Sequence, residues 1–133
     1  MRKFSATKIR IGAALTICAL ALAACGESPE STVKNFYRAV EDGKIEKALE
    51  YVDPNIRQVW GGKLAIVLAA ESEKIRRCGG IKSIETEVVE ANGDRRVVKT
   101  TIEYKNSGGD KRCNAKSTNE KLVKMDGKWR FGS

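Results

Sequence analysis

The sequence of 133 residues contains no histidine, and this absence restricts the chemistry available to the chain. It excludes Ser-His-Asp and Cys-His nucleophile arrangements and histidine acid–base catalysis. It also excludes most zinc hydrolases, which use histidine ligands. The sequence has no glycine-rich phosphate loop and no pair of acids at a spacing typical of catalysis. We therefore expect a protein that is not an enzyme and uses no cofactor or metal.

The chain also lacks an apolar run long enough to cross a bilayer as a helix. The longest apolar stretch, residues 11–22, is 12 residues long, whereas a spanning helix needs about 20. Four basic residues precede this stretch, and the small residues Ala23 and Ala24 follow it. A basic start, a short apolar middle and small residues at the end are typical of an export signal.

The last residues of this segment, Leu22-Ala23-Ala24-Cys25, resemble the lipobox of bacterial lipoproteins. The resemblance implies that residues 1–24 are removed and that Cys25 carries diacylglycerol on its sulfur. Residues 25–30 would then be the lipidated cysteine and a tether. Two or more acyl chains anchor a protein stably in a membrane. Gly26 rather than Asp follows the cysteine, which favours the outer membrane if the host has two membranes.

The remaining chain is long enough for one domain, which we place at residues 31–133. With 21 basic and 17 acidic residues, the chain without its signal has a formal charge of +4. The two signs are interspersed along the sequence, whereas a nucleic-acid interface needs a clustered basic stripe with aromatic residues. We therefore expect no nucleic-acid partner.

Cysteine usage supports an oxidising compartment. Cys18 leaves with the signal and Cys25 carries lipid, so Cys78 and Cys113 remain as two thiols outside the cytoplasm. Such a pair is expected to form a disulfide. Metal binding is the weaker alternative, because a structural zinc site normally uses four cysteine or histidine ligands.

Three helices are predicted in the first half of the domain. Ser28 followed by Pro29 is a helix start, and Val33, Phe36 and Val40 share one helix face with Tyr37. A second helix is predicted over 44–52 and a third over about 63–77. The expected buried face of the third helix comprises Leu64, Val67, Leu68 and Ile75. Asp53 is expected to cap the next turn, and Glu71 to be solvated.

Four strands are predicted in the second half. Residues 81–90 and 96–104 flank Asn92-Gly93, a hairpin signal. A five-residue loop over 91–95 would set Ile84 opposite Ile102 and Glu90 opposite Arg96, whereas a two-residue loop would pair Val98 with Glu87. We prefer the longer loop. The third strand is predicted over 113–124 and the fourth over 128–131, with Leu122, Trp129 and Phe131 on the core face.

Helices followed by antiparallel strands indicate an α+β domain, with about three helices packed on a four-stranded sheet. The segment from Ser28 to Val52, with its Phe36-Tyr37 pair, its break at Gly43 and its Ala48-Leu49 end, resembles small bacterial lipoproteins of the nuclear transport factor 2-like (NTF2-like) superfamily. The late Gly127-Lys128-Trp129 also resembles that group. The resemblance covers most of 28–131, and it implies a curved sheet wrapped around helices to form a cone with an open pocket. Many of these lipoproteins have no assigned function.

Four aromatic residues with polar tips are the candidates for a ligand pocket or partner surface: Tyr37, Trp60, Tyr104 and Trp129. Core packing is the alternative interpretation of Tyr37, Tyr104 and Trp129. Trp60 lies beside two glycines, and it is interpreted as a flap over the pocket or a partner contact. We expect a lipid-anchored envelope protein that binds a small apolar ligand or a protein partner. The alternatives are an envelope scaffold, for example a homodimer through the sheet, and an isomerase- or dehydratase-like enzyme.

Overall fold

A computed structural model of the protein describes residues 26–133. The export signal and Cys25 lie outside the described residues. Four α-helices come first: α1 (Pro29–Glu41), α2 (Ile45–Leu49), α3 (Pro54–Trp60) and α4 (Gly62–Arg77). Four strands follow: β1 (Ile81–Asn92), β2 (Arg95–Tyr104), β3 (Lys116–Met125) and β4 (Lys128–Phe131), with a 3-10 turn at Lys111–Cys113 before β3.

The structure has four helices where about three were predicted, because the turn expected after Asp53 is a helix of its own, Pro54–Trp60. Asp53 starts it as expected, and its side chain accepts a hydrogen bond from the backbone N–H of Asn55 at 2.9 Å. Gly61 separates α3 from α4 with a φ of 56°, a conformation that glycine adopts without steric cost. The start of α1 is confirmed, since the Ser28 hydroxyl accepts from the N–H of Ser31.

The four strands form one antiparallel sheet in sequence order, β1-β2-β3-β4. Ile84 lies opposite Ile102 as predicted, but the five-residue loop was wrong, because pairing continues to Asn92 and Arg95. Glu90 faces Val97 instead of Arg96, with a bulge between Val88 and Glu90. The bulge adds one residue to β1. With that extra residue, a two-residue turn between Asn92 and Arg95 gives the same Ile84–Ile102 pairing that was expected from a five-residue loop.

Two further boundaries differ from the prediction. β3 begins at Lys116 rather than Cys113, because Cys113 ends a 3-10 turn that Asp110 caps. On α4, Val67 is 51% exposed and does not belong to the buried face. The predicted disulfide is confirmed: Cys78 and Cys113 are bonded, with their Cα atoms 5.4 Å apart. It joins the end of α4 to the turn before β3.

The core lies between the helices and one face of the sheet. Phe36, Ala39 and Val40 of α1 pack in a single cluster with residues of β1 and β2. A second cluster joins Val33 to the buried face of the sheet, where Val98, Leu122 and Trp129 meet. β4 reaches the helical layer through a parallel bridge between Val52 and Phe131. The inner face of the sheet is therefore covered by helices, and any cavity between the two layers opens at their edge.

Candidate functional site

A row of threonines crosses the inner face of the sheet. Thr86 of β1 pairs with Thr100 of β2, and Thr100 pairs with Thr118 of β3. Thr100 is fully buried. Because strand residues two apart share a face, Glu120 also lies on this inner face, next to Thr118. The sheet therefore brings a carboxylate and a polar row into an otherwise apolar layer.

The Glu120 carboxylate is held by two hydroxyl groups. The Tyr37 hydroxyl of α1 donates to Glu120 Oε1 at 2.7 Å, and the Thr118 hydroxyl donates to the same oxygen at 2.7 Å. Burial, together with the negative charge of Glu120, raises the pKa of Tyr37 far above its usual range. Tyr37 therefore keeps its proton and remains a donor to Glu120 at ordinary pH. We call these three residues the Glu120 cluster.

Glu120 also lines an apolar cavity of about 380 Å³ between the helices and the end of the sheet. We call it the cone-mouth cavity. Its apolar lining residues are Phe36, Val52, Ile56, Trp60, Leu64 and Phe131, and Lys121, Gly132 and Ser133 complete the lining with Glu120. The Lys121 side chain belongs to the outer face of β3, because neighbouring strand residues point to opposite faces. Apolar walls with a few placed polar groups are typical of small-molecule sites.

Trp60, the last residue of α3, forms part of the rim of this cavity. Half of its surface is exposed, although it also lines the cavity. No residue of α3 is fully buried, so this short helix has little packing to hold it. The position agrees with the flap interpretation of Trp60, whose movement stays a prediction.

Tyr104 lies deeper in the fold, at the end of β2. It is 2% exposed, and its hydroxyl has no hydrogen-bond partner among the described residues. The Lys74 ammonium lies 5.2 Å from the centre of the Tyr104 ring and 3.4 Å from a Glu71 carboxylate oxygen. Glu71 is half-buried rather than solvated as expected. The core-packing interpretation fits Tyr104 best.

Trp129 contributes to a different surface, near the first described residues. It is buried, with the Arg96 guanidinium 4.8 Å from its ring centre. It also lines a groove of about 660 Å³, which we call the tether groove. The lining of the tether groove includes Gly26, Glu27, Glu50, Tyr51, Arg57, Lys128, Trp129 and Arg130. Tyr37 thus belongs to the Glu120 cluster, Trp60 to the rim of the cone-mouth cavity and Tyr104 to the core. Trp129 packs in the core, as its alternative interpretation had it, and also lines the tether groove.

Glu120 and Thr118 were not predicted as site residues, although the sequence contains a signal for both. Leu122, Trp129 and Phe131 were predicted on the core face. Counting back from Leu122 in steps of two reaches Glu120 and then Thr118. A carboxylate at an inward position of a strand is unusual enough to mark a candidate site.

Within residues 26–133, no helix is both long and apolar enough to span a membrane. The same part of the chain holds no group of three or more acidic, cysteine or histidine side chains arranged to bind a metal.

Comparison with known proteins supports the fold. No family model and no curated protein matched the chain. Among solved structures, a Campylobacter jejuni protein named as a candidate NTF2-like transpeptidase superimposes with a TM-score of 0.66 and 26% identity. The match covers 79% of this chain and 97% of that chain. The described residues therefore form an NTF2-like domain, and the predicted α+β class is confirmed.

Proposed function

We propose that this NTF2-like domain is a non-catalytic binding module of the cell envelope, anchored through an acylated Cys25. Its ligand is a small amphiphile, with an apolar part in the cone-mouth cavity and a hydrogen-bond donor at Glu120. One observation carries the proposal: a carboxylate fixed by two hydroxyl donors lines a largely apolar cavity.

The cavity is of suitable size and chemistry for such a ligand. Its volume of about 380 Å³ lies within the range of about 300–1,000 Å³ typical of ligand sites. Phe36 and Phe131 have ring centres 4.5 Å apart, and both line the cavity beside Leu64. Burying an apolar chain against this wall stabilises the complex by about 25 cal/mol per Å² of surface removed from water.

Glu120 decides which polar group the ligand carries. Tyr37 and Thr118 both donate to Oε1, so the second carboxylate oxygen can accept from a ligand. An ammonium or hydroxyl group provides the donor, and an ammonium also provides opposite charge. A ligand carboxylate would face like charge. The site therefore favours cationic or neutral amphiphiles over anionic ones.

The test compares octylammonium with octanoate as probes, following the fluorescence of Trp60. We expect octylammonium to bind more tightly. Glu120→Gln should weaken its binding by about tenfold or more, because a hydrogen bond to a charged group contributes about 1.5–3 kcal/mol. Glu85→Gln is the matched control, since Glu85 is exposed on β1. Equal affinity of the two variants for octylammonium would contradict the proposal.

Native mass spectrometry of the protein purified from its own envelope would identify the natural ligand. A co-purifying small molecule with an amine or hydroxyl group supports the binding module. A ligand-free protein that dimerises with concentration would instead favour the scaffold alternative.

Two observations favour binding over catalysis. Tyr37 donates its only hydroxyl proton to Glu120, so in this arrangement it cannot also stabilise a developing oxyanion on a substrate. Within residues 26–133, the two cysteines are joined in a disulfide, which leaves no thiol nucleophile there. The name of the Campylobacter jejuni protein describes that protein, and the NTF2-like fold alone does not fix an activity.

A further inference from the structure

The tether groove lies next to the proposed anchor. Gly26 and Glu27, the residues directly after Cys25, line it. Three residues separate Cys25 from Pro29, the first residue of α1, and three extended residues span about 10 Å. Acyl chains on Cys25 would therefore enter a membrane close to this groove and bring the bilayer surface next to it.

The groove carries more cationic than acidic side chains. Arg57, Lys128 and Arg130 line it together with the acids Glu27 and Glu50. The Nε atom of Arg57 is buried with no hydrogen-bond partner among the described residues. Arg130 donates from its guanidinium to the backbone carbonyl of Glu50, and Glu27 accepts from the Asn35 amide. The buried Nε is closed to solvent, so an anion in the groove would pair with the terminal guanidinium nitrogens of Arg57 and with the Lys128 ammonium.

Apolar side chains extend the same surface. Val59 is 84% exposed and Trp60 is 50% exposed, and both belong to α3 with Arg57. Trp60 lies three residues after Arg57, so the two side chains are neighbours on the helix surface. Tryptophan is enriched where proteins meet the headgroup level of a membrane, and nearby basic residues are attracted to anionic headgroups.

We propose that the tether groove binds the phosphate headgroup of a bilayer lipid beside the anchor, while Val59 and Trp60 enter the membrane interface. Arg57 and Lys128 contact the phosphate, and Trp60 lies at headgroup depth. The inference rests on the proposed acylation of Cys25, which brings the groove to the bilayer. It also predicts how the domain is oriented on the membrane, with α3 and the β3–β4 turn facing the lipid.

The experiment replaces the natural anchor with a chemical one. Residues 26–133 contain the complete helical layer, sheet and disulfide, and with Cys78 and Cys113 bonded, Cys25 is the single thiol of residues 25–133. This thiol is coupled to a maleimide lipid in phosphatidylcholine vesicles containing phosphatidylglycerol with brominated chains. The readout is quenching of Trp60 fluorescence, with Trp60→Phe giving the background from buried Trp129.

We expect Trp60 to be quenched in the wild-type protein. Removing one cation should lower the ratio of docked to undocked protein about fivefold, since a basic residue near an anionic surface contributes about 1 kcal/mol. Lys128→Gln tests this with an exposed residue, and Arg57→Gln tests the half-buried arginine. Lys99→Gln, which removes an exposed lysine of β2, is the control of equal charge.

Two results would overturn the inference: no quenching of Trp60 by brominated chains, or equal loss of quenching in Lys128→Gln and Lys99→Gln. Failure of the anchor proposal gives a different result. The maleimide bond forms without acylation, so vesicle docking can succeed even if Cys25 carries no lipid in cells. Fractionation of cells that carry Cys25→Ala tests the acylation of Cys25 independently of vesicle docking.

Discussion

Tyr37 shows how one side chain can serve packing and polar chemistry together. Its ring meets the Phe36 ring edge-on, with centres 5.2 Å apart, while its hydroxyl donates to Glu120. The ring thus belongs to the core, and the hydroxyl fixes the carboxylate that lines the cavity. Of the two interpretations made from the sequence, core packing applies to the ring and a site role applies to the hydroxyl.

A pH dependence follows from Tyr37. Because its pKa is raised in the folded protein, the unfolded chain loses this proton first, near the usual tyrosine pKa of about 10. The stabilising contribution is complete below that pH and decreases above it. We expect the wild type to lose up to about 1.4 kcal/mol more stability per pH unit above pH 10 than Tyr37→Phe loses.

Urea unfolding at about pH 8 and about pH 11 measures this difference, since these values lie on either side of the usual tyrosine pKa. The loss of unfolding free energy between the two values is compared in the wild type and in Tyr37→Phe. An equal loss in both proteins would show that Tyr37 ionises as readily when folded as when unfolded.

At the scale of elements, the disulfide connects parts that are distant in sequence. Cys78 and Cys113 lie 35 residues apart, and the loop between them contains the whole β1–β2 hairpin. In the chain-entropy model, closing such a loop stabilises the fold by about 4 kcal/mol. We expect the double substitution Cys78→Ala with Cys113→Ala to lower the urea midpoint accordingly.

The matched measurement is the wild type with and without a thiol reductant. Reduction should lower the midpoint of the wild type and leave that of the double variant unchanged. A midpoint in the reduced wild type equal to that of the oxidised protein would mean that the bond contributes nothing to stability.

Elements were predictable from the sequence where short-range rules apply. The start of α1 followed from Ser28 and Pro29. The last two strands, predicted over 113–124 and 128–131, form a hairpin in which Asp126 and Gly127 join Met125 to Lys128. α3 was missed as a helix because two glycines follow it and it buries no residue completely. The bulge in β1 was missed because an extra residue leaves no local composition signal.

The site was less predictable than the fold. The alternation in β3 placed Glu120 inside, but which partner it meets depends on the packing of α1 across β3. The Tyr37–Glu120 contact joins residues 83 positions apart. A single sequence indicates which residues of each element face the core. Only the packing of the helices on the sheet determines that Tyr37 and Glu120 meet.

At the scale of the whole molecule, the proposed anchor predicts the cell fraction in which the protein is found. Cys25→Ala removes the sulfur that the acyl chains need, so the variant should leave the membrane fraction and become soluble outside the cytoplasm. Fractionation of cells after high-speed sedimentation checks this. Ser31→Ala serves as a control, since it leaves Cys25 in place. A Cys25→Ala protein that still sediments with membranes would contradict the anchor proposal.

α3 lies between the two cavities, with Arg57 in the tether groove and Trp60 in the cone-mouth cavity. If this seven-residue helix, which has no fully buried side chain, moves as a unit, a displacement at one end reaches the other. Thermodynamic linkage then requires reciprocity. If the membrane changes the affinity for a ligand by some factor, the ligand changes the affinity for the membrane by that same factor. The short helix would then couple ligand binding in the cone-mouth cavity to membrane binding at the tether groove.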